Sequence, residues 1–395
     1  MANSAKKWRI PDGVQDTLAV ECYNKRKIEQ YFRQTIFQAG YDEIETPEFE
    51  YLEVFQGENA QHKRENLIKF IDSNGDILVL RPEMTTPIAR LAATKLTSFP
   101  ARLFYIANAY GDENAYYSSQ REYTQAGVEL LGDDTPEADA EVIAIAIESL
   151  QKCGLQHFQI DIGQVDFFKG LMEEAGLNDE EIETLRSYVD QKNDLAVELF
   201  LHGKHQEGRR IDPTIVDTIR QLPMLYGGAE VFDAAEQLSS SQRCRNAISN
   251  LRRIYDILVA YGMQSYISVD LGMLQAIDYY SGLIFKGYCD GLGFTILSGG
   301  RYDKLLRQFG NDLPATGFAV GIKRVLIALE GQQGQLPTIP AMDIVIGCAP
   351  SAYQEAYRKV SAERQVGRRC LFLPGAGREE LASKSKGAAE IFYVE

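Results

Sequence analysis

Metal ligands are scarce in this sequence. It has four histidines, at 62, 157, 202 and 205, and six cysteines, at 22, 153, 244, 289, 348 and 370, with no CxxC pair. That scatter excludes a zinc framework and a disulfide scaffold, and the cysteines are expected to be reduced core thiols. The HGKH stretch at 202–205 reads as part of an exposed helix rather than a metal site. HExxH, GxxxxGK[ST] and GxGxxG are all absent, so zinc hydrolase, P-loop and dinucleotide-binding chemistry have nothing to build on. No metal and no cofactor is expected.

Long apolar runs are missing too. Nothing approaches the roughly 18 apolar residues that cross a bilayer, and the opening MANSAKKWRIPDGVQD lacks a secretory apolar core. The expectation is a cytoplasmic protein without membrane contact. Positive charge is also short, with 41 Lys and Arg against 56 Asp and Glu and a net charge of −15. A protein that grips RNA neutralises phosphates with clustered Lys and Arg. Only local basic spots occur here, such as Arg209 with Arg210 and Arg368 with Arg369, and each reads as a solvated face.

What is present is the balance of a soluble globular protein, 45% hydrophobic and 25% charged. At about 150 residues per domain, 395 residues make two or three units. Residues 21–38 carry Ile28, Tyr31, Phe32, Ile36 and Phe37 at helical spacing and stop at Gly40. Extended chain is expected over 43–51, a turn at Ser73-Asn74-Gly75-Asp76, a strand over 77–80 and a helix over 87–96. Strands at 101–109 and 125–131 flank a polar segment in the pattern of a long-looped antiparallel hairpin. An apolar helix at 138–152 and a strand at 158–163 follow. Helical patterns then dominate 165–262, one starting at Asp212-Pro213. Sheet-like segments resume at 266–271, 282–288 and 293–298, so the helical stretch reads as an insertion. A Gly-rich 317–321 leads into a helix at 322–329. GQQGQLPTIPA marks a linker over 331–341, and 342–395 alternates strand and helix as a small α/β unit.

Few segments carry candidate chemistry. Leu80-Arg81-Pro82-Glu83-Met84-Thr85 ends a strand in a turn that presents a carboxylate and a hydroxyl, suited to an ammonium group but, taken alone, more often an ordinary surface turn. Gln125 and Glu129 lie four apart on one strand and share a face, which either lines a polar pocket or meets solvent. Asp278, Tyr279 and Tyr280 fit a ligand site or a core. Ser298-Gly299-Gly300-Arg301-Tyr302-Asp303 has a glycine pair without the rest of a phosphate loop.

The order of these pieces identifies them. LRPEMTTPIAR, FPARLFYIANAYGDENAYYSSQREYTQAGVELLG, AIDYYSGLIFKG, SGGRYDKLL and TGFAVGIKR resemble successive signature segments of histidyl-tRNA synthetase, and IPDGVQD with ETPEFE resembles its first motif. The resemblance covers about residues 10–330. It implies an α+β, class II aminoacyl-tRNA synthetase-like fold, a six- or seven-stranded antiparallel sheet flanked by helices, dimerising through the first motif. It implies a core over 1–330, with 165–262 inserted, and a shortened anticodon-binding-like tail at 342–395. It also implies a histidine pocket: Glu83 and Thr85 at the amino group, Gln125 at the carboxylate side, and Glu129, Tyr279, Tyr280 and Tyr302 around the imidazole.

The departures point further. Where the synthetases carry an arginine for the ATP α-phosphate, this chain has Gly111. Where the histidine-specific segment carries another, it has Gln275, and a third position corresponds to Ser119. Arg121 and Arg324 remain as residual motif arginines. Loss of one preorganised donor costs about 2.7 to 4 kcal/mol, and two such losses cost roughly 10⁴-fold in rate if additive. The tail is about half the length of the synthetase domain it resembles.

A histidine pocket without adenylation machinery is similar to the synthetase-like regulatory subunits of ATP phosphoribosyltransferase, which acts first in histidine biosynthesis. That resemblance implies a non-catalytic chain, a short-form catalytic subunit as partner, a dimer within a hetero-octamer, and histidine as allosteric effector. The alternatives are an active histidyl-tRNA synthetase and a tRNA- or histidine-sensing binding module. The charge and the short tail argue against tRNA as a ligand.

Overall fold

The computed structural model describes residues 6–56, 64–111, 120–191, 193–206, 213–238, 241–274 and 279–395. Contacts divide the chain into two compact units, Met1–Thr17 with Asn24–Leu336, and Leu18–Tyr23 with Pro337–Glu395.

In chain order the large unit carries α1 (Ala19–Gln38, whose first turn falls in the other unit), β1 (Asp42–Glu43), β2 (Phe49–Tyr51), β3 (Lys69–Ile71), β4 (Ile77–Leu80), α2 (Thr85–Lys95), β5 (Ala101–Tyr110) and β6 (Glu122–Leu131). Next come α3 (Pro136–Cys153), β7 (Phe158–Gln164), α4 (Val165–Ala175), α5 (Asp179–Asp190), α6 (Asp194–Gln206), α7 (Pro213–Gln221), β8 (Tyr226–Gly227), α8 (Glu230–Leu238) and α9 (Gln242–Ala260). β9 (Ile267–Asp270), β10 (Leu283–Cys289), β11 (Leu297–Arg301), α10 (Asp303–Arg307), β12 (Ala315–Gly321) and α11 (Ile322–Gln333) complete it.

Nine strands form one sheet in the order β1-β5-β6-β12-β11-β10-β7-β9-β8. The expected six or seven strands are exceeded by two-residue strands at both edges. The centre is antiparallel, whereas β1 pairs parallel to β5 and β7 parallel to β9. The helices from α4 to α9 separate β7 from β9 in sequence, and a long connection of this kind permits parallel pairing.

Side chains alternate across the sheet and sort it into two faces. Phe104, Val128, Phe318 and Phe285 lie in register on one face and join the main core with Ile143, Ile147 and Leu150 of α3 and Val325 of α11. Each fully buried Ile, Leu, Val or Phe there contributes about 1.5–3 kcal/mol. The opposite face is covered by Met84, Ile88 and Ala92 around α2 and by Leu305 and Leu306 of α10.

Local signals account for the boundaries. Thr135 caps α3 by accepting from the Ala138 amide at 3.3 Å, Pro136 starts the helix, and left-handed Gly154 (φ 96°) ends it. The α11 helix runs three residues into the segment expected as a linker. Gln332 explains the extension, because its amide donates to the His157 carbonyl at 2.7 Å. Two glycine-rich stretches also differ from expectation: 298–301 and 317–321 are central strands rather than loop or lead-in. Glycine is required there by close packing, since a Cβ on Gly299 would stand 2.4 Å from the Gly317 carbonyl oxygen.

In the smaller unit, β13 (Ile344–Cys348), α12 (Tyr353–Gln365), β14 (Cys370–Pro374), α13 (Arg378–Lys384) and β15 (Glu390–Val394) form a three-stranded parallel sheet, order β14-β13-β15, with its own core.

Candidate functional site

The face under α2 is not filled. β6, β12 and β11 bring Gly127, Gly317, Ala319, Ser298 and Gly300 onto it in register, so the sheet floor is nearly free of side chains. Bulkier residues rise around that floor. A cavity of about 160 Å³ results, lined by Glu83, Thr85, Gln125, Glu129, Tyr279, Tyr280 and Tyr302, the seven residues expected at a ligand site. A cavity of about 150 Å³ suffices for one small aromatic ring.

Each glycine in the floor makes room for a particular group. A Cβ on Gly317 would lie 2.1 Å from Glu129 Oε2, and one on Gly127 would lie 2.5 Å from the Tyr105 hydroxyl. On Gly300 it would lie 2.8 Å from the Tyr280 ring.

Glu83 stands just before α2. Its carboxylate accepts from the Thr85 backbone amide and from the Thr86 amide at 3.1 Å, so the exposed amides at the helix start fix its orientation. Glu129 lies at the centre of β6 and is 2% exposed. It accepts from the Thr85 hydroxyl at 2.9 Å and from the Tyr302 hydroxyl. Burial pushes the Glu129 carboxyl up to about 8, against the opposing pull of those two hydrogen bonds and with a smaller push from Glu83. Thr85 therefore couples both acids.

The tyrosines form a connected wall. Tyr279 stacks on Tyr302 with ring centroids 5.5 Å apart and meets Tyr280 edge-on at 5.0 Å. Burial, reinforced by the nearby glutamates, holds the hydroxyls of Tyr105, Tyr279, Tyr280 and Tyr302 well above the usual tyrosine range. They stay neutral hydrogen-bonding groups at any working pH.

Sequence reasoning missed Tyr105 and Tyr123, which also line the cavity. Tyr123 donates to the Pro82 carbonyl at 2.6 Å and fixes the turn that carries Glu83. Tyr105 is 1% exposed, and its hydroxyl has no partner among the described residues; the amide oxygen of Gln125 is also buried and unpaired among them. Buried polar atoms without partners are rare and here face the cavity. The signal for Tyr105 was its register opposite Gly127, with Ala319 and Ser298 next across the sheet.

Gly111, Arg121 and Arg324 lie outside this cavity. Gly111 follows β5, and a Cβ there would meet nothing nearer than the Tyr123 hydroxyl at 4.0 Å. Arg324 donates to the Thr295 carbonyl at 2.9 Å and lies over the Phe294 ring, and neither it nor Arg121 lines the cavity. Gln275, Asp278 and Ser119 lie outside the described residues. Arg81 is structural: it is buried and donates to the carbonyls of Thr46, Pro47 and Asn108 at 2.6, 3.0 and 2.8 Å.

Comparison with known proteins agrees with this architecture. The model of the family described as Histidyl-tRNA synthetase matches residues 13–325. An ATP phosphoribosyltransferase regulatory subunit of Acetivibrio thermocellus is 46% identical over 90% of this chain and 83% of its own length. One of Desulforamulus reducens is 39% identical over 99% and 97%. A crystal structure from Bacillus halodurans C, described as an ATP phosphoribosyltransferase regulatory subunit/histidyl-tRNA synthetase, superposes with a TM-score of 0.86 at 31% identity, covering 98% of each chain. On sequence and fold together, the chain belongs to the family of ATP phosphoribosyltransferase regulatory subunits, built on the histidyl-tRNA synthetase fold.

Proposed function

We propose that this chain catalyses no adenylation, associates with a short-form ATP phosphoribosyltransferase catalytic subunit, activates it, and relays inhibition when histidine fills the cavity under α2. The observation that carries this reading is the gathering of Glu83, Thr85, Gln125, Glu129, Tyr279, Tyr280 and Tyr302 around one small cavity. Glu83 and Thr85 would meet the ammonium group, Gln125 the carboxylate side, and Glu129 with the tyrosines the ring. Gly111 and Gln275 replace the charges that adenylation needs.

Residues 1–333 would then be the histidine-sensing core, 334–341 a linker, and 342–395 a cut-down anticodon-binding-like unit without tRNA. Assembly as a dimer within a cytoplasmic hetero-octamer of four regulatory and four catalytic chains completes the reading. Feedback needs only that histidine prefer one arrangement of the complex, with a coupling of about 1–3 kcal/mol.

The test is Glu83→Ala. The variant loses the carboxylate that the α2 amides orient, at a helix-capping cost of about 1 kcal/mol. It should still bind the catalytic subunit and lose inhibition by histidine. A variant as fully inhibited as the parent, or histidine-dependent exchange of pyrophosphate into ATP by the parent, would contradict the proposal.

A further inference from the structure

The charge of the cavity is one-sided. Two acidic side chains line it, Glu83 and Glu129, the latter held neutral by burial up to about pH 8, and no Lys, Arg or His does among the described residues. Segments 112–119 and 275–278, which adjoin the lining in sequence, contain no Lys, Arg or His either. Of the nearby cations, Arg81 is engaged with three carbonyls, Arg301 with Asp139 at 3.0 Å, Arg324 with the Thr295 carbonyl and Lys169 with the Tyr280 carbonyl at 3.2 Å, and Arg121 and Lys286 are not among the lining residues.

The other hydrogen-bonding side chains of the cavity are neutral. The hydroxyl protons of Thr85 and Tyr302 are committed to Glu129, and that of Tyr123 to the Pro82 carbonyl. The Gln125 amide oxygen, an acceptor, is left without a partner, and so is the Tyr105 hydroxyl. An ammonium and ring N–H groups find charge-assisted partners in such a place. A ligand carboxylate finds the Glu83 carboxylate, a desolvated site and only neutral donors, the Tyr105 and Tyr280 hydroxyls and the Gln125 amide N–H.

We propose that this cavity takes its ligand as a cationic imidazole amine and gives the ligand carboxylate no charged partner, so carboxylate-free analogues occupy it at least as tightly as histidine. This rests on the reading of the cavity as a histidine site and narrows what is recognised to the ammonium and the ring. The effector class is therefore broader than the amino acid and includes its amide.

The test is calorimetric titration of the full-length chain at pH 6.5, where an α-amino amide is still protonated. The probes are L-histidine, L-histidinamide and 3-(imidazol-4-yl)propionate, which keeps the carboxylate and lacks the ammonium. Histidinamide should bind within about threefold of histidine or more tightly, and the propionate about a hundredfold more weakly. A carboxylate held by a charged partner would instead make the amide about tenfold to a hundredfold weaker than histidine, and that result overturns the proposal. Binding of histidine without binding of the amide refutes this inference alone. Failure of all three ligands refutes it together with the histidine-site reading.

Discussion

Glu129→Gln isolates the most perturbed acid in the cavity. In the unfolded chain the Glu129 carboxyl titrates near 4.5, and burial raises it to about 8 in the fold. As pH rises from about 4.5 the unfolded chain gives up this proton first, while the folded chain keeps it until about pH 8. Stability therefore falls across that window and levels off above it. At about 1.4 kcal/mol per pH unit the loss is on the order of 5 kcal/mol. Glutamine has the same shape and keeps one acceptor oxygen for Thr85 or Tyr302, while the other hydroxyl turns to accept from its amide. The variant should match the parent near pH 5 and exceed it by several kcal/mol at pH 9. Urea unfolding of both proteins at pH 5, 7 and 9, followed by circular dichroism, measures this as a difference in which every other titrating group cancels. Parallel loss of stability in both proteins would show that Glu129 titrates normally and refute the reasoning.

Gly317→Ala places a Cβ 2.1 Å from Glu129 Oε2 and 2.4 Å from the Val128 carbonyl oxygen, and the backbone atom cannot swing away. Its urea midpoint should drop by an amount equivalent to about 2–3 kcal/mol, with loss of histidine binding by calorimetry. Arg81→Met leaves the carbonyls of Thr46, Pro47 and Asn108 without their shared donor and should cost about 3 kcal/mol or more in the same assay. Gly111→Ala meets only an ordinary contact with the Tyr123 hydroxyl at 4.0 Å and should stay within about 0.5 kcal/mol of the parent; a large loss there would mean that the turn after β5 is tighter than its geometry indicates.

Period and punctuation made much of this fold legible. The β5–β6 hairpin followed from strand-like segments on both sides of a polar segment, and α3 from its apolar run over 138–152. Gln125 and Glu129 were found because strand geometry puts residues four apart on one face. Residues 298–301 and 317–321 were harder, since glycine usually marks a loop and here marks a strand crossed by close neighbours. Their alternation was the overlooked signal: Gly317, Ala319 and Gly321 are small on the cavity face while Phe318 and Val320 fill the core. Tyr105 was missed for a related reason. Its value depends on an empty floor across the sheet, which only strand register reveals.

The central claim is regulation through a histidine-filled cavity, and the most direct measurement is ATP phosphoribosyltransferase activity of a short-form catalytic subunit with and without this chain across a histidine titration. The account predicts stimulation that histidine suppresses, with suppression lost in Glu83→Ala. No association and no stimulation at any histidine concentration would contradict it.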